Sequence, residues 1–366
     1  MLRGGMKHIK GFFPKIGLSI ISLAIIFLGL EIFFRYKAHD AYTKGIQVLN
    51  TAENNINNYE GEIQLRHIIR LSKHPRIIYE LIPNLSVNFF DKSLRTNPDG
   101  FRSPPYAKQK KPGVKRIIGL GDSFMFGWRM SDDECYLFLL EKKLQQIFPD
   151  MTWEVINTAV PGYNTVMEVE TLKAKGLHFG PDIVIIHYVG NDIDLPNFIQ
   201  KKDNYWTLRE SFLVSFLRKR LRENPGSIQD PLVPAPHHRL EMRFENDPNR
   251  VPDEYRDMVG EDACFQAMKG LKALSEKHGF ELLVVLFQAP DFVREMCSRL
   301  KIPLIETVHK VRHAMDSLGI EQYVGSILTI GKEDPHPSAL GHTIIAESIF
   351  EYLRDKNRIL LSSKRK

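Results

Sequence analysis

Three short stretches, far apart in the chain, carry side chains that together supply the parts of an acyl-transfer site. Gly121-Asp122-Ser123 follows an apolar run, Gly190-Asn191-Asp192 follows another, and Asp334-Pro335-His336-Pro337 lies near the C-terminus. A serine hydroxyl attacks a carbonyl only with a base in reach, and histidine can take its proton and return it near neutral pH. A carboxylate beside the histidine fixes the imidazole tautomer. An amide such as Asn191 is a neutral donor that tolerates burial and can stabilise a developing oxyanion. Each stretch alone is common; their order and their place at the ends of predicted strands give them weight.

The elements that must position these residues follow from hydropathy. Arg116 to Leu120 reads as a short apolar strand running into Gly121-Asp122-Ser123. Ser131-Asp132-Asp133-Glu134 fits a capping box ahead of a helix, with Leu137, Leu140, Leu144 and Ile147 at helical spacing behind it. Trp153 to Asn157 suits a second strand. Asp182 to Val189, DIVIIHYV, and Glu281 to Phe287, ELLVVLF, are apolar runs without alternation, as expected of parallel strands buried on both faces. Ile302 to Ile305 suits an edge strand, and Ile344, Ile345, Ile349 and Leu353 form one face of a helix just after His336. Strands alternating with helices imply a doubly wound α/β sheet, in which ligands bind beyond the carboxyl ends of the strands. Ser123, Asn191 and Gly162, the last within Ala159-Val160-Pro161-Gly162-Tyr163-Asn164, all fall there.

Other residues carry plainer expectations. Asn97-Pro98-Asp99-Gly100 is a turn. Asp122 should bond local backbone and Asp192 should cap its own loop. His187, inside an apolar strand, reads as a core histidine with a satisfied ring, and His342, after Gly341, as an anchor of its helix start. His237-His238 has no supporting carboxylates, so no metal site and no cofactor are expected. The chain has 366 residues and a formal charge of +6. That mild basicity, concentrated at the ends and without an aromatic-interleaved basic motif, argues against nucleic acid as a partner. None of the three cysteines, Cys135, Cys264 and Cys297, shows metal or redox spacing; a Cys264–Cys297 bridge is left open for a domain outside the cytoplasm.

Ile16 to Phe34 is apolar except for Glu31. As a helix it rises about 28 Å, close to the thickness of a bilayer's hydrocarbon core. Arg3, Lys7, Lys10 and Lys15 precede it, which predicts a cytoplasmic N-terminus. No small-x-small cleavage site follows Leu30, so an uncleaved signal anchor is preferred to a cleaved signal peptide or a buried soluble helix. Glu31 is expected near the outer interface. The expected organisation is a basic tail over 1–15, the transmembrane anchor over 16–34, a stalk and pre-domain segment over 35–110, and a catalytic domain over 111–358. A long insertion at about 195–260 includes an amphipathic stretch, Phe212 to Leu221, suited to packing on the domain, covering substrate or facing a membrane.

In order, Gly-Asp-Ser with Ser123, a lone Gly162, Gly-Asn-Asp with Asn191, and a histidine followed by proline at His336 resemble the four blocks of the SGNH (GDSL-type) hydrolase family. The resemblance spans about 115 to 355, and the NPDGFR stretch before it, with the apolar N-terminus, is similar to membrane-anchored members. It implies a three-layer αβα sandwich with a mainly parallel, flavodoxin-like sheet. It implies Ser123 as nucleophile, His336 as base, and Ser123 N–H, Gly162 N–H and the Asn191 amide as the oxyanion hole. The family places its acid three residues before the histidine, where Glu333 stands here; Asp334 is two before. Either carboxylate can hold the imidazole, and Asp334 is preferred on residue type. The function expected is a serine-dependent carboxylic-ester hydrolase, membrane-anchored and extracytoplasmic, acting on an acylated carbohydrate or lipid. An O-acyltransferase of an exported polysaccharide and a catalytically inactive binding or assembly protein are the alternatives.

Overall fold

A computed structural model describes residues 12–200, 211–221, 232–234 and 245–363. The chain divides into two compact units, Met1–Thr51 with Lys201–Val233, and Ala52–Gln200 with Pro234–Lys366. The residues expected to form the insertion lie partly outside the described ones, as does the pair His237-His238.

The first unit is built on α1 (Phe12–Asn55), one continuous helix of 44 residues whose last turn enters the second unit. The expected anchor and stalk therefore share a single helix. No proline or glycine breaks the polar stretch after Phe34 until Gly45, and the helix runs through that glycine too. The apolar part has a mean hydropathy of 2.3 over its best window, none of it buried among the described residues. Ile20, Ile25 and Phe27, on different sides of the helix, are all more than half exposed. Apolar all round and uncovered among the described residues, this helix is long enough to cross a membrane. The amphipathic stretch Phe212–Leu221 is a helix and belongs to this unit.

The second unit is a doubly wound α/β fold. Its strands are β1 (Val114–Gly121), β2 (Thr152–Asn157), β3 (Ile183–His187), β4 (Glu281–Leu286) and β5 (Leu304–Glu306). They pair in parallel in the order β5-β4-β3-β1-β2, the flavodoxin-like arrangement expected. All five residues of β3 are buried, as its unalternating sequence requires. Asp182, just before it, accepts from the Arg116 N–H and from Lys110 through its carboxylate, and the chain turns away after His187.

Helices α2 (Tyr136–Ile147), α3 (Thr165–Ala174), α4 (Gly260–His278), α5 (Asp291–Leu300), α6 (Val308–Leu318) and α7 (Ala339–Ser363) cover the sheet in two groups. One group is α2, α6 and α7; the other is α3, α4 and α5. Ile118, Leu120, Ile156, Val184, Ile186 and Val284 lie in one core cluster with Leu172, Met268 and Leu271 of the second group. The Ser131–Glu134 capping box forms, around a 3-10 turn directly before α2. Leu137, Leu140 and Leu144 are buried behind it, but Ile147, the last residue of α2, is 52% exposed. Cys135, Cys264 and Cys297 are buried free thiols, so the Cys264–Cys297 bridge is not formed.

Residues 56–110, the later part of the expected stalk and pre-domain segment, belong to the same compact unit as this sheet. The Tyr79 hydroxyl donates to the Pro161 carbonyl at 3.0 Å, deep in the unit. The Asn97–Gly100 turn forms, closed by Gly100 N–H to Asn97 O at 2.9 Å, with the Asn97 side chain accepting from Asp99 and Phe101.

Candidate active site

In a sheet of this order the chain reverses its winding direction between β1 and β3, and the crevice beyond their carboxyl ends is the natural ligand site. Gly121 ends β1 opposite His187, the last residue of β3. Ser123 and Asn191 follow these ends by two and four residues. A Cβ on Gly121 would fall 2.6 Å from Met125 Cβ, so only glycine lets the chain fold straight back into the one-turn helix Ser123–Phe126. Asp122 caps that turn, its Oδ1 accepting from Phe124 N–H at 2.9 Å, as expected of a residue bonding local backbone.

Ser123 Oγ lies 2.7 Å from His336 Nε2, and His336 Nδ1 lies 2.5 Å from Asp334 Oδ1. With the Nδ1 proton donated to the carboxylate, Nε2 is left as an acceptor for the serine hydroxyl. The Asp-Pro-His-Pro turn is rigid for local reasons. Asp334 Oδ1 also accepts from His336 N–H at 3.1 Å, while Ile330 N–H to His336 O and Ser338 N–H to Leu328 O clamp both sides of the turn. Glu333 is exposed and makes no such bond. The rings of Phe124 and Trp128 flank the imidazole, with centroids at 4.8 and 6.0 Å.

Asn191 sits on a 3-10 turn, Gly190–Ile193, and donates one amide hydrogen to Asp122 Oδ2 at 3.3 Å. That bond orients the amide and leaves its second N–H for a ligand. Ser123 Oγ is also 3.1 Å from Asp122 Oδ2; its single proton has the closer acceptor in His336. Gly162 has φ +76, and a Cβ there would overlap the Asn197 side chain at 2.2 Å, so this loop admits no other residue without rearrangement. Among the described residues neither the Ser123 nor the Gly162 N–H has an acceptor.

No family model matches this sequence, and no curated protein matches it. Solved structures do. TesA is 12% identical at a TM-score of 0.40, covering 66% of this chain and 99% of its own. The acetyl xylan esterase AlAXEase is 13% identical at 0.41, covering 65% and 98%. A protein described as lipolytic, of the G-D-S-L family, from Desulfitobacterium hafniense DCB-2 is 14% identical at 0.37, covering 65% and 98%.

Around the site lie buried groups that the sequence placed less well. Asp192 does not cap its loop: among the described residues both of its carboxylate oxygens are buried without a partner, and so are those of Glu168 on α3. Burial pushes both carboxyls well above the usual range; the charge of Asp122 pushes both further, and that of Glu168 adds to the rise at Asp192. His187 is a core histidine as expected; it shares a hydrogen bond with the Tyr136 hydroxyl at 2.9 Å, and burial lowers it to about 4. His342 anchors the start of α2 instead of its own helix, its Nδ1 accepting from Tyr136 N–H at 3.3 Å, and burial lowers it to about 3. Both imidazoles are neutral at physiological pH.

Arg102, the last residue of NPDGFR, had no assigned role in the sequence. Its side chain is 3% exposed. Its guanidinium donates to the carbonyls of Phe126 and Gly127 at 2.8 Å, to Met130 O at 2.5 Å and to Asp132 at 2.9 Å, and it lies over the Phe126 ring. One planar fork thus ties down the chain that leaves the Ser123 turn. Only long-range packing reveals this, since Arg102 and Gly127 are 25 residues apart. A cavity of about 490 Å³ lies beside this clamp, between Asn97, Arg102, Asp132, Cys135 and Phe138, and includes neither Ser123 nor His336. Arg102→Lys keeps the charge and loses the fork. It is expected to lower kcat roughly 10- to 100-fold with little change in KM, as a small misplacement of the nucleophile does. A fall in KM-limited binding alone, with kcat intact, would mean that Arg102 does not position Ser123.

Proposed function

We propose that this chain is a serine-dependent carboxylic-ester hydrolase, anchored by its N-terminal helix on the outer side of the cytoplasmic membrane, that removes O-acyl groups from a glycan or lipid. The observation that carries the reading is the unbroken Ser123–His336–Asp334 hydrogen-bond chain. Ser123 Oγ attacks the ester carbonyl as its proton passes to His336 Nε2. The imidazolium that forms is held by Asp334. The negative charge reaches an oxygen received by the Ser123 and Gly162 N–H groups and the free amide hydrogen of Asn191. His336 then protonates the departing alkoxide, leaving an acyl-serine, and activates the water that cleaves it. Release of acetate from an acetylated oligosaccharide by the purified protein tests the reaction; no release from it, or from any short activated ester, would remove the proposal.

Asn191→Ala is expected to lower kcat on the order of 100- to 1,000-fold, with KM nearly unchanged, because an oxyanion donor acts mainly in the transition state. Steady-state kinetics on a p-nitrophenyl ester separates the two; an effect on KM alone would make Asn191 a substrate-binding group.

The location rests on the uncovered apolar helix and on Arg3, Lys7, Lys10 and Lys15 before it. Alkaline phosphatase fused to the C-terminus should be active in cells, since it matures only in an oxidising exterior. An inactive phosphatase fusion beside an active cytoplasmic reporter would reverse the orientation.

A further inference from the structure

Glu31 is the one charge in the apolar stretch Ile16–Phe34, and its carboxylate is fully engaged. Arg35 meets it from one turn on, at 2.8 Å. Its other partners come from the segment before the helix Phe212–Leu221 and from that helix itself: Ser211 Oγ at 2.8 Å, Phe212 N–H at 2.9 Å and Leu213 N–H at 3.0 Å. The first N–H groups of a helix have no partner within it, and their end carries partial positive charge. Glu31 therefore caps a second helix from the side of the first. The Phe34 and Phe216 rings stack at 4.3 Å, and the Arg35 guanidinium lies over the Phe212 ring at 4.9 Å.

We propose that the helix Phe212–Leu221 is a membrane-interface element, latched by Glu31 at the outer boundary of the bilayer and resting on anionic lipid headgroups. This rests on the reading that Ile16–Phe34 spans the membrane. From Ile16 to Glu31 the helix rises about 22 Å, so the latch lies toward the far side of a hydrocarbon core about 30 Å thick. Leu213 is buried, while Val214 and Leu217, three residues apart and so on one face, are 43% and 49% exposed. An exposed apolar pair held at that depth meets acyl chains. The sequence then runs Arg218-Lys219-Arg220, a charge complementary to anionic headgroups.

The test uses the full chain in vesicles of phosphatidylethanolamine with about one quarter phosphatidylglycerol, spin-labelled at Leu217→Cys or, as a depth control, Ile20→Cys; the native cysteines are buried. Both labels should collide more with oxygen than with a water-soluble nickel chelate, Ile20→Cys the more deeply. Adding Glu31→Leu should expose the Leu217→Cys label to nickel several-fold more and leave Ile20→Cys unchanged. Replacing phosphatidylglycerol by phosphatidylcholine should move the Leu217→Cys label toward water. A water-exposed Leu217→Cys label beside a buried Ile20→Cys label would overturn the proposal and leave the anchor standing. A water-exposed Ile20→Cys label would overturn the anchor and the proposal with it. Strong dipolar coupling between Leu217→Cys labels of two copies would make the covering partner a second chain, against the proposal. Indifference to phosphatidylglycerol would remove the anionic headgroup from it.

Discussion

Ser123→Ala is expected to reduce hydrolysis of p-nitrophenyl acetate by about four to six orders of magnitude, leaving only the residual rate that the oxyanion hole and binding supply. The loss is large because the attacking atom itself is gone, while the turn that holds it is fixed from outside by the Asp122 cap and the Arg102 clamp. The variant should keep the wild-type circular dichroism spectrum and nearly the wild-type melting temperature, since the half-buried hydroxyl it removes bonds only to His336 and Asp122, whose own turns are held by other hydrogen bonds. His336→Ala should be equally poor, and combining the two should cost little more, because nucleophile and base act as a unit. A Ser123→Ala protein that retains a tenth of the wild-type kcat would remove Ser123 from the reaction.

The second large effect is expected at the acid. Asp334→Asn should lower kcat on the order of 10,000-fold, because an amide at that place reverses the imidazole tautomer and presents a proton, not a lone pair, to Ser123. The same substitution in type at the neighbouring residue, Glu333→Gln, should leave the rate near that of wild type, since Glu333 is exposed while Asp334 Oδ1 is 2.5 Å from the ring. Measured side by side on one ester, the order of the two variants decides between them. If Glu333→Gln is the more harmful, the spacing of three residues governs after all, and the turn seen here is not the catalytic one.

What the sequence made legible and what it did not divide along one physical line. Runs such as DIVIIHYV and ELLVVLF announce central strands because burial on both faces leaves no room for alternation. The order of strands then places Ser123 and Asn191 at one crevice. The expectations that failed concern single polar side chains whose partners come from elsewhere in the chain. Asp192 has the residue type of a loop cap, but its loop turns it inward toward Glu168 and α4. His342 has the position of a helix anchor, yet the helix it anchors is α2, some 206 residues earlier in the chain. Arg102 sits in a stretch whose turn was readable from Pro98 and Gly100, while its own function depends on carbonyls that come near only after the sheet is assembled. The choice between Asp334 and Glu333 was open for the same reason: one residue of register in a proline-flanked turn decides which carboxylate faces the ring.

The most direct test of the central claim is covalent. The native protein, incubated with a fluorophosphonate near neutral pH and then digested, should carry one phosphonyl group, on Ser123. The labelling should be lost in Ser123→Ala and strongly slowed in His336→Ala, because only a serine whose proton has somewhere to go attacks phosphorus at a useful rate. No adduct on the folded protein, or an adduct on a different serine that survives Ser123→Ala, would contradict the account.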